Sequence, residues 1–357
     1  MRKMEKKTNA VLIIPAYEPD DRMLTLMEAL KKAQISPVVF VNDGSGPDYN
    51  HYFEIAEKNY GYTVLTHAVN LGKGRALKTA FNYVLNTYPD AVGVVTADSD
   101  GQHSVADIQS CQQALAENPD CLILGVRDFD GEDIPWKSVY GNKLTRMICK
   151  GLCGVDVSDT QTGLRGISCA FMKKLMETPG ERFEFETNML IETTDYCAIK
   201  EIPIETIYDS VENHVTHFDP IKDSIRIYKI FGRMFLKFII SSLSSSVVDL
   251  CLFSVFSSLL LGWNGIYYVA VATVLARVIS GIYNYLINYR FVFNSKKKKS
   301  VSATKYFALV IIQMLLSAGL VTLGVYLLPV VPELVIKIFV DGFLFFLSYY
   351  IQRKYIF

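Results

Sequence analysis

Beyond residue 235 the chain carries four apolar runs, near 235–261, 266–289, 306–328 and 334–351. Each can cross a ~30 Å hydrocarbon core at ~1.5 Å per residue. Four such runs in succession exceed what a water-soluble core of this length can bury. This third of the chain is therefore predicted to be an all-α membrane domain of four transmembrane helices.

Residues 1–221 read differently. Short β-branched runs at 11–17, 38–43, 63–68, 92–98 and 121–126 alternate with helical stretches at 22–34, 51–60, 73–87 and 104–117. That alternation is the βαβ rhythm of a Rossmann-like, mainly parallel α/β sheet. In open sheets of this kind ligands bind beyond the carboxyl ends of the strands, so Tyr17, Glu18, Asp43, Asp98 and Asp100 are expected to line one cleft.

Charge divides at the same place. Residues 1–221 hold 21 basic and 32 acidic side chains, and residues 222–357 hold 15 and 4. A basic, apolar C-terminal part suits a bilayer with anionic head groups. Nucleic-acid binding, which needs its cations on a soluble face, is not expected. Lys222, Arg226, Lys229, Arg233 and Lys237 recur on one helical face, which predicts an interfacial amphipathic helix over 222–234. Lys296 to Lys299, with Arg353 and Lys354, put the loop between the second and third spans and the C-terminus on the cytosolic side, together with the N-terminal domain. The basic start MRKMEKKTNA is followed only by VLII before Pro15, too short an apolar run for a cleaved leader. Seven cysteines, none in a CxxC pair, fit a reducing compartment.

The segment Ala97-Asp98-Ser99-Asp100-Gly101-Gln102-His103 carries the sharpest chemical signal. Two carboxylates one residue apart at a strand end pack poorly but bind a hard divalent cation well. Such a cation, Mg²⁺ or Mn²⁺, commonly neutralises a diphosphate. The absence of cysteine from this segment argues against zinc, although His103 follows directly. Asp43 lies in VNDGSG, where a carboxylate can accept from a nucleobase edge or make an Asx-type turn. Lys73 and Arg75 open a helix in LGKGRAL, where cations and backbone donors favour phosphate; Gly72 and Gly74 can equally serve to turn the chain. Arg127 can fork onto diphosphate oxygens or pair with Asp128 or Asp130.

The ordered motifs IPAYEPD, VNDGSG, NLGKGRAL, ADSDGQH, GVRD and DTQTGLRGI resemble the GT-A domain of glycosyltransferase family 2, in its dolichyl/polyprenyl-phosphate sugar synthase branch. VVDLCLF and ARVISGIYNYLINYRFVF resemble a GtrA-like four-helix membrane domain over 235–357. The resemblance implies a metal at Asp98, Asp100 and Gln102. It implies nucleotide-sugar contacts at Pro15, Tyr17, Glu18, Asp43, Lys73, Asp98 and Arg127, and acceptor-phosphate contacts at Arg146 and Arg165. Asp159, Arg165 and Arg127 stand as the catalytic set, with Asp159 orienting the attack rather than acting as an obligatory base. The implied reaction is inverting transfer of a hexose-type sugar from a UDP- or GDP-linked donor to polyprenyl phosphate on the cytosolic leaflet of the cell membrane. Some relatives are tetramers, so a homo-oligomer is compatible with the resemblance.

Two other readings share these features. A processive polysaccharide synthase also joins such a domain to membrane helices, but its usual QxxRW string is absent, since neither Trp136 nor Trp263 follows an arginine. A lipid-linked-sugar translocator with an inactive transferase domain is the other. Asp249, Arg277, Lys337 and Asp341 lie inside apolar spans, where an unpaired charge is costly, and are expected to pair, face a polar groove or snorkel. His214 and His217 are expected to be surface histidines near the membrane-facing edge of the cleft.

Overall fold

The computed structural model describes residues 9–127, 145–205, 222–260, 267–295 and 297–357. They form two units, Met1–Lys150 with Val155–Tyr228, and Gly151–Gly154 with Lys229–Phe357.

The first unit is built on seven strands: β1 Ala10–Ala16, β2 Val38–Asn42, β3 Thr63–Thr66, β4 Gly93–Thr96, β5 Cys121–Arg127, β6 Arg165–Ser168 and β7 Ala198–Ile204. Its helices are α1 Asp21–Lys32, α2 Asn50–Lys58, α3 Lys73–Thr87, α4 Val105–Glu117, α5 Cys169–Leu175 and α6 Glu184–Tyr196. The sheet order is β3-β2-β1-β4-β6-β5-β7. Pairing is parallel from β3 to β4 and between β5 and β7, whereas β6 runs antiparallel to both β4 and β5.

Every residue of β1, β2 and β4 is buried, as expected for strands covered on both faces. On one side, Met23, Met27 and Leu30 of α1 and Ile108 and Leu115 of α4 pack against Leu12, Ile14, Phe40, Val95 and Ile123. The other layer includes α3, whose Ala76, Leu77, Ala80, Phe81 and Val84 are buried. Helix starts follow local chemistry: the Asp20 side chain accepts from the Arg22 N–H at α1, and the Ser104 hydroxyl accepts from the Asp107 N–H at α4.

The five strands and four helices expected from alternation all form, with no end moved by more than two residues. The short segments β6, α5, α6 and β7 carry no clear periodic pattern and emerge only in the folded chain. The predicted parallel sheet accordingly contains one reversed strand, and that strand shapes the site.

The second unit is helical. Helix α7 Lys222–Leu259 is continuous, so residues 222–234 do not form a separate element from the first span. It is followed by α8 Tyr267–Ile287, α9 Lys299–Leu327 and α10 Glu333–Ile351. Among the described residues four helices are long and apolar enough to cross a membrane: Tyr228–Leu259, Tyr268–Val292, Lys299–Leu327 and Glu333–Ile356. Their outer surfaces expose Val247, Leu250, Ile311, Leu315, Phe339 and Phe343, which lipid can solvate. An aromatic cluster of Phe238, Tyr285, Phe293, Tyr306, Tyr349 and Phe357 fills one end of the interior.

A polar seam runs beside that cluster. The Ser241 hydroxyl donates to Asn288 Oδ1 at 2.7 Å, Asn288 Nδ2 to Gln352 Oε1 at 3.1 Å, and Gln352 Nε2 to the Ser348 hydroxyl at 3.0 Å. The charges inside the spans pair as expected, Arg277 with Asp249 at 3.4 Å and Lys337 with Asp341 at 2.9 Å. The Ser280 hydroxyl adds a bond to Asp249 at 2.8 Å.

Candidate active site

The site forms where the strand order reverses. β1 lies between β2 and β4, and the chain leaves their carboxyl ends in opposite directions, opening a crevice at Tyr17, Asp43 and Asp98. Because β6 is antiparallel, its first residue, Arg165, pairs with Thr96, the last residue of β4. That register brings residues 159–164 to the same edge, where the Thr96 hydroxyl donates to the Gly163 carbonyl at 2.7 Å.

Asp98, Lys73 and Glu186 form the centre. Lys73 Nζ lies 2.7 Å from Asp98 Oδ1 and 3.1 Å from Glu186 Oε1. Burial opposes the ionised form of Asp98, but the Lys73 ammonium and His103 outweigh it and hold the carboxyl below its usual range. Asp100 is held above the usual range, first by burial and then by the charge of Asp98. Its Oδ1 accepts from the Gln102 backbone N–H at 3.1 Å. His103 is buried; Nε2 stands 3.5 Å from Asp98 Oδ2, and neither ring nitrogen has a hydrogen-bond partner among the described residues. A Cβ on Gly163 would overlap the Asp98 carboxylate, so only glycine lets the 159–164 segment close on it.

Glu186 was not expected from sequence. It sits in the first turn of α6, and the 181–185 segment before it lies directly on the start of α3. A Cβ on Gly74 would strike Phe185 and the backbone of residues 181–182. Close packing therefore accounts for this glycine of LGKGRAL. Arg75 is correspondingly occupied: its N–H donates to the Glu181 carbonyl at 2.9 Å and its Nε lies 2.6 Å from Glu181 Oε2. The only sequence signal for Glu186 is an acidic residue at a helix start, too common to single out.

Several expected ligand contacts are spent inside the protein. Arg165 is 1% exposed, with Nε donating to the Thr162 carbonyl at 2.9 Å and Nη1 to the Glu186 carbonyl at 2.7 Å. Burial lowers its pKa despite the nearby Glu186 and Asp159 charges. These bonds fasten the 160–162 loop to α6, the contacts that stand where an acceptor-phosphate contact was expected. Asp43, expected at a nucleobase, accepts from the N–H groups of Leu71 and Gly72 at 3.0 and 2.8 Å, with His67 Nδ1 at 2.7 Å. Its carboxylate holds the loop that leads into Lys73. Pro15 lies buried within β1, paired with Val41.

Arg127 makes a two-pronged contact with Asp159, Nε to Oδ2 at 2.6 Å and Nη2 to Oδ1 at 3.1 Å. Asp159 is fully buried and also accepts from the Gln161 N–H at 3.0 Å. Tyr17 and Glu18 are half-buried at the end of β1. Glu18 has a positive φ of 47° and its N–H donates to the Ser45 hydroxyl at 2.9 Å. A hydrogen bond to Glu18, followed by burial, raises the Tyr17 pKa. Arg146 is exposed on a helical turn. Asp128, Asp130, Trp136, His214, His217, Trp263 and Lys296 lie outside the described residues.

The donor chemistry fits a hard divalent ion. The Asp98 and Asp100 carboxylates and the Gln102 side-chain carbonyl are oxygen donors, and burial together with the Asp98 charge holds the Asp100 carboxyl up. Among the described residues no three His, Cys, Asp or Glu side chains form a closed metal cage. A sparse oxygen set of this kind suits Mg²⁺ or Mn²⁺, which keep water and phosphate oxygens as ligands.

Comparison with known proteins agrees with this organisation. Residues 11–176 match the glycosyl transferase family 2 domain and residues 235–357 match the GtrA/DPMS transmembrane domain. An uncharacterised protein of Methanocaldococcus jannaschii is 28% identical over 219 residues, 58% of this chain and 88% of that protein. The UDP-N-acetylglucosamine–dolichyl-phosphate N-acetylglucosaminyltransferase of Methanococcus voltae is 28% identical over 215 residues, 55% of this chain and 85% of that one. Among solved structures, glucosyl-3-phosphoglycerate synthase from Mycobacterium tuberculosis, in complex with Mn²⁺, UDP and phosphoglyceric acid, superposes with a TM-score of 0.43 at 14% identity, covering 58% of this chain and 73% of that one. With one matched domain on the α/β unit and the other on the apolar helices, the chain carries a glycosyl transferase family 2 domain joined to a GtrA/DPMS transmembrane domain and is a membrane protein.

Proposed function

We propose that the protein transfers a hexose-type sugar from a nucleoside-diphosphate donor to a polyprenyl phosphate at the cytosolic face of the membrane, with inversion at the anomeric carbon. The observation that carries this reading is the Asp98–Asp100 pair at the strand-order reversal of a chain that also has four membrane-crossing helices. A water-soluble anionic donor and a lipid acceptor are the substrates such a combination can bring together. The similarity to the dolichyl-phosphate transferase of M. voltae supports the acceptor class.

Asp98, Asp100 and Gln102 would hold Mg²⁺ or Mn²⁺, which supplies charge neutralisation to the departing diphosphate. Lys73 adds a cation at the same edge, and its pairing with two carboxylates keeps it protonated although burial opposes its charge. Tyr17, Glu18 and the loop held by Asp43 form the nucleoside side of the crevice. Arg127 and Asp159 orient each other and set the opposite wall. Exposed Arg146 remains the candidate contact for the acceptor phosphate. That phosphate is already ionised near neutral pH, so it can displace the nucleotide without a strong base, and positioning with charge stabilisation carries the catalysis.

The test is to incubate the purified full chain with labelled UDP- and GDP-sugars and undecaprenyl phosphate, with and without chelator. A chelator-sensitive lipid-linked sugar is expected. Polymer formed without lipid acceptor would identify a synthase instead, and no nucleotide-sugar cleavage would identify a translocator.

A further inference from the structure

Asp98 cannot take a divalent ion without a change around Lys73. Asp98 Oδ1 already has the Lys73 ammonium at 2.7 Å, while Oδ2 faces His103 and is hemmed in by Gly163. Of the two Asp98 oxygens, Oδ1 is thus already filled by the protein's own cation. Lys73 has a second anion within reach, Glu186 Oε1 at 3.1 Å, and the guanidinium Nε of Arg165 lies 4.0 Å from the same oxygen. The Glu186 side chain is 10% exposed, held in the first turn of α6 where backbone dipoles favour its charge.

We propose that Lys73 is a resident counter-ion occupying the metal seat at Asp98, and that Glu186 is a positioning residue that receives the ammonium when the divalent ion enters. Lys73 Nζ then moves from a bridge between two carboxylates onto Glu186 alone, and Asp98 Oδ1 turns to the ion. No proton is transferred; one cation replaces another, and Lys73 remains beside the ion, where donor phosphate arrives. Glu186 therefore sets how strongly the protein's own cation competes with the metal.

This inference rests on the metal reading given above, and direct Mn²⁺ titration of the full chain without nucleotide, followed by electron paramagnetic resonance, separates the two. Removing the competitor in Lys73→Met is expected to tighten Mn²⁺ binding roughly tenfold, the scale of one charged hydrogen bond. Glu186→Gln, which leaves Lys73 only Asp98, is expected to weaken it by about the same factor. In the double variant the Glu186 effect should vanish, because there is no ammonium left to receive. Glu186→Asp keeps the charge but shortens its reach, and should behave like Glu186→Gln.

Equal weakening by Glu186→Gln in both backgrounds, or wild-type affinity in Glu186→Asp, would reduce Glu186 to a general field effect and overturn the proposal. Unchanged affinity in Lys73→Met would do the same. Wild-type protein that binds no Mn²⁺ would remove the metal reading itself.

Discussion

At the scale of single residues, the site separates charges that face the crevice from charges that brace it. Arg165 is the clearest brace. Its guanidinium bonds to backbone carbonyls of the 160–162 loop and α6, so Arg165→Met leaves those acceptors buried without donors. A loss of about 2–4 kcal/mol in stability is expected, read as an earlier cooperative unfolding transition. A variant of unchanged stability with only a raised KM for lipid acceptor would restore the acceptor role. Asp100 makes a pH prediction. Its carboxyl is raised in the folded protein, so the proton is held more tightly than in the unfolded chain and competes with a cation. Mn²⁺ affinity should therefore fall on acidification from neutrality, before ordinary carboxylates titrate, and Asp100→Asn should remove that step. An affinity that stays flat down to the ordinary carboxylate range would contradict the shift.

At the scale of elements, the short reversed strand β6 has the largest consequence. Only an antiparallel partner for β4 delivers residues 159–164 to the edge where Asp98 emerges. In the membrane unit the equivalent joints are hydrogen bonds between helices. Asn288 of the turn after α8 links Ser241 on α7 with Gln352 after α10, and it is fully buried. Asn288→Ala should cost about 1–2 kcal/mol, measured by detergent-induced unfolding in mixed micelles. No change would mean that aromatic packing alone sets the helix arrangement.

At the scale of the whole molecule, the proposed function depends on the α/β unit facing the side from which nucleotide sugars come. By the positive-inside rule, exposed Lys297, Lys298 and Lys299 at the start of α9, with Arg353 and Lys354 after α10, are expected on the cytosolic side, and the proposed function requires the α/β unit there too. Epitope tags placed at the N-terminus and in the lysine loop should be reached only after permeabilisation, whereas a tag in the 329–332 turn should be reached in intact cells. The reverse pattern would place the transferase domain outside and remove its donor supply.

Periodicity and composition determined the two-part architecture, the strands and helices with strong local patterns, and the acidic turn at Asp98. These are features each segment expresses through its own apolar spacing. The charges within the spans were likewise legible as needing partners, because lipid offers none. What only the tertiary structure decided is the fate of the remaining polar side chains. Whether Arg165 or Asp43 meets a ligand or a backbone, and whether Lys73 has one carboxylate or two, depends on which loops lie at the same sheet edge. That is fixed by the four-residue strand β6 and by the 181–186 segment packed on the start of α3. Strand reversal and close backbone approach are long-range pairings, and neither leaves a periodic trace in the local sequence.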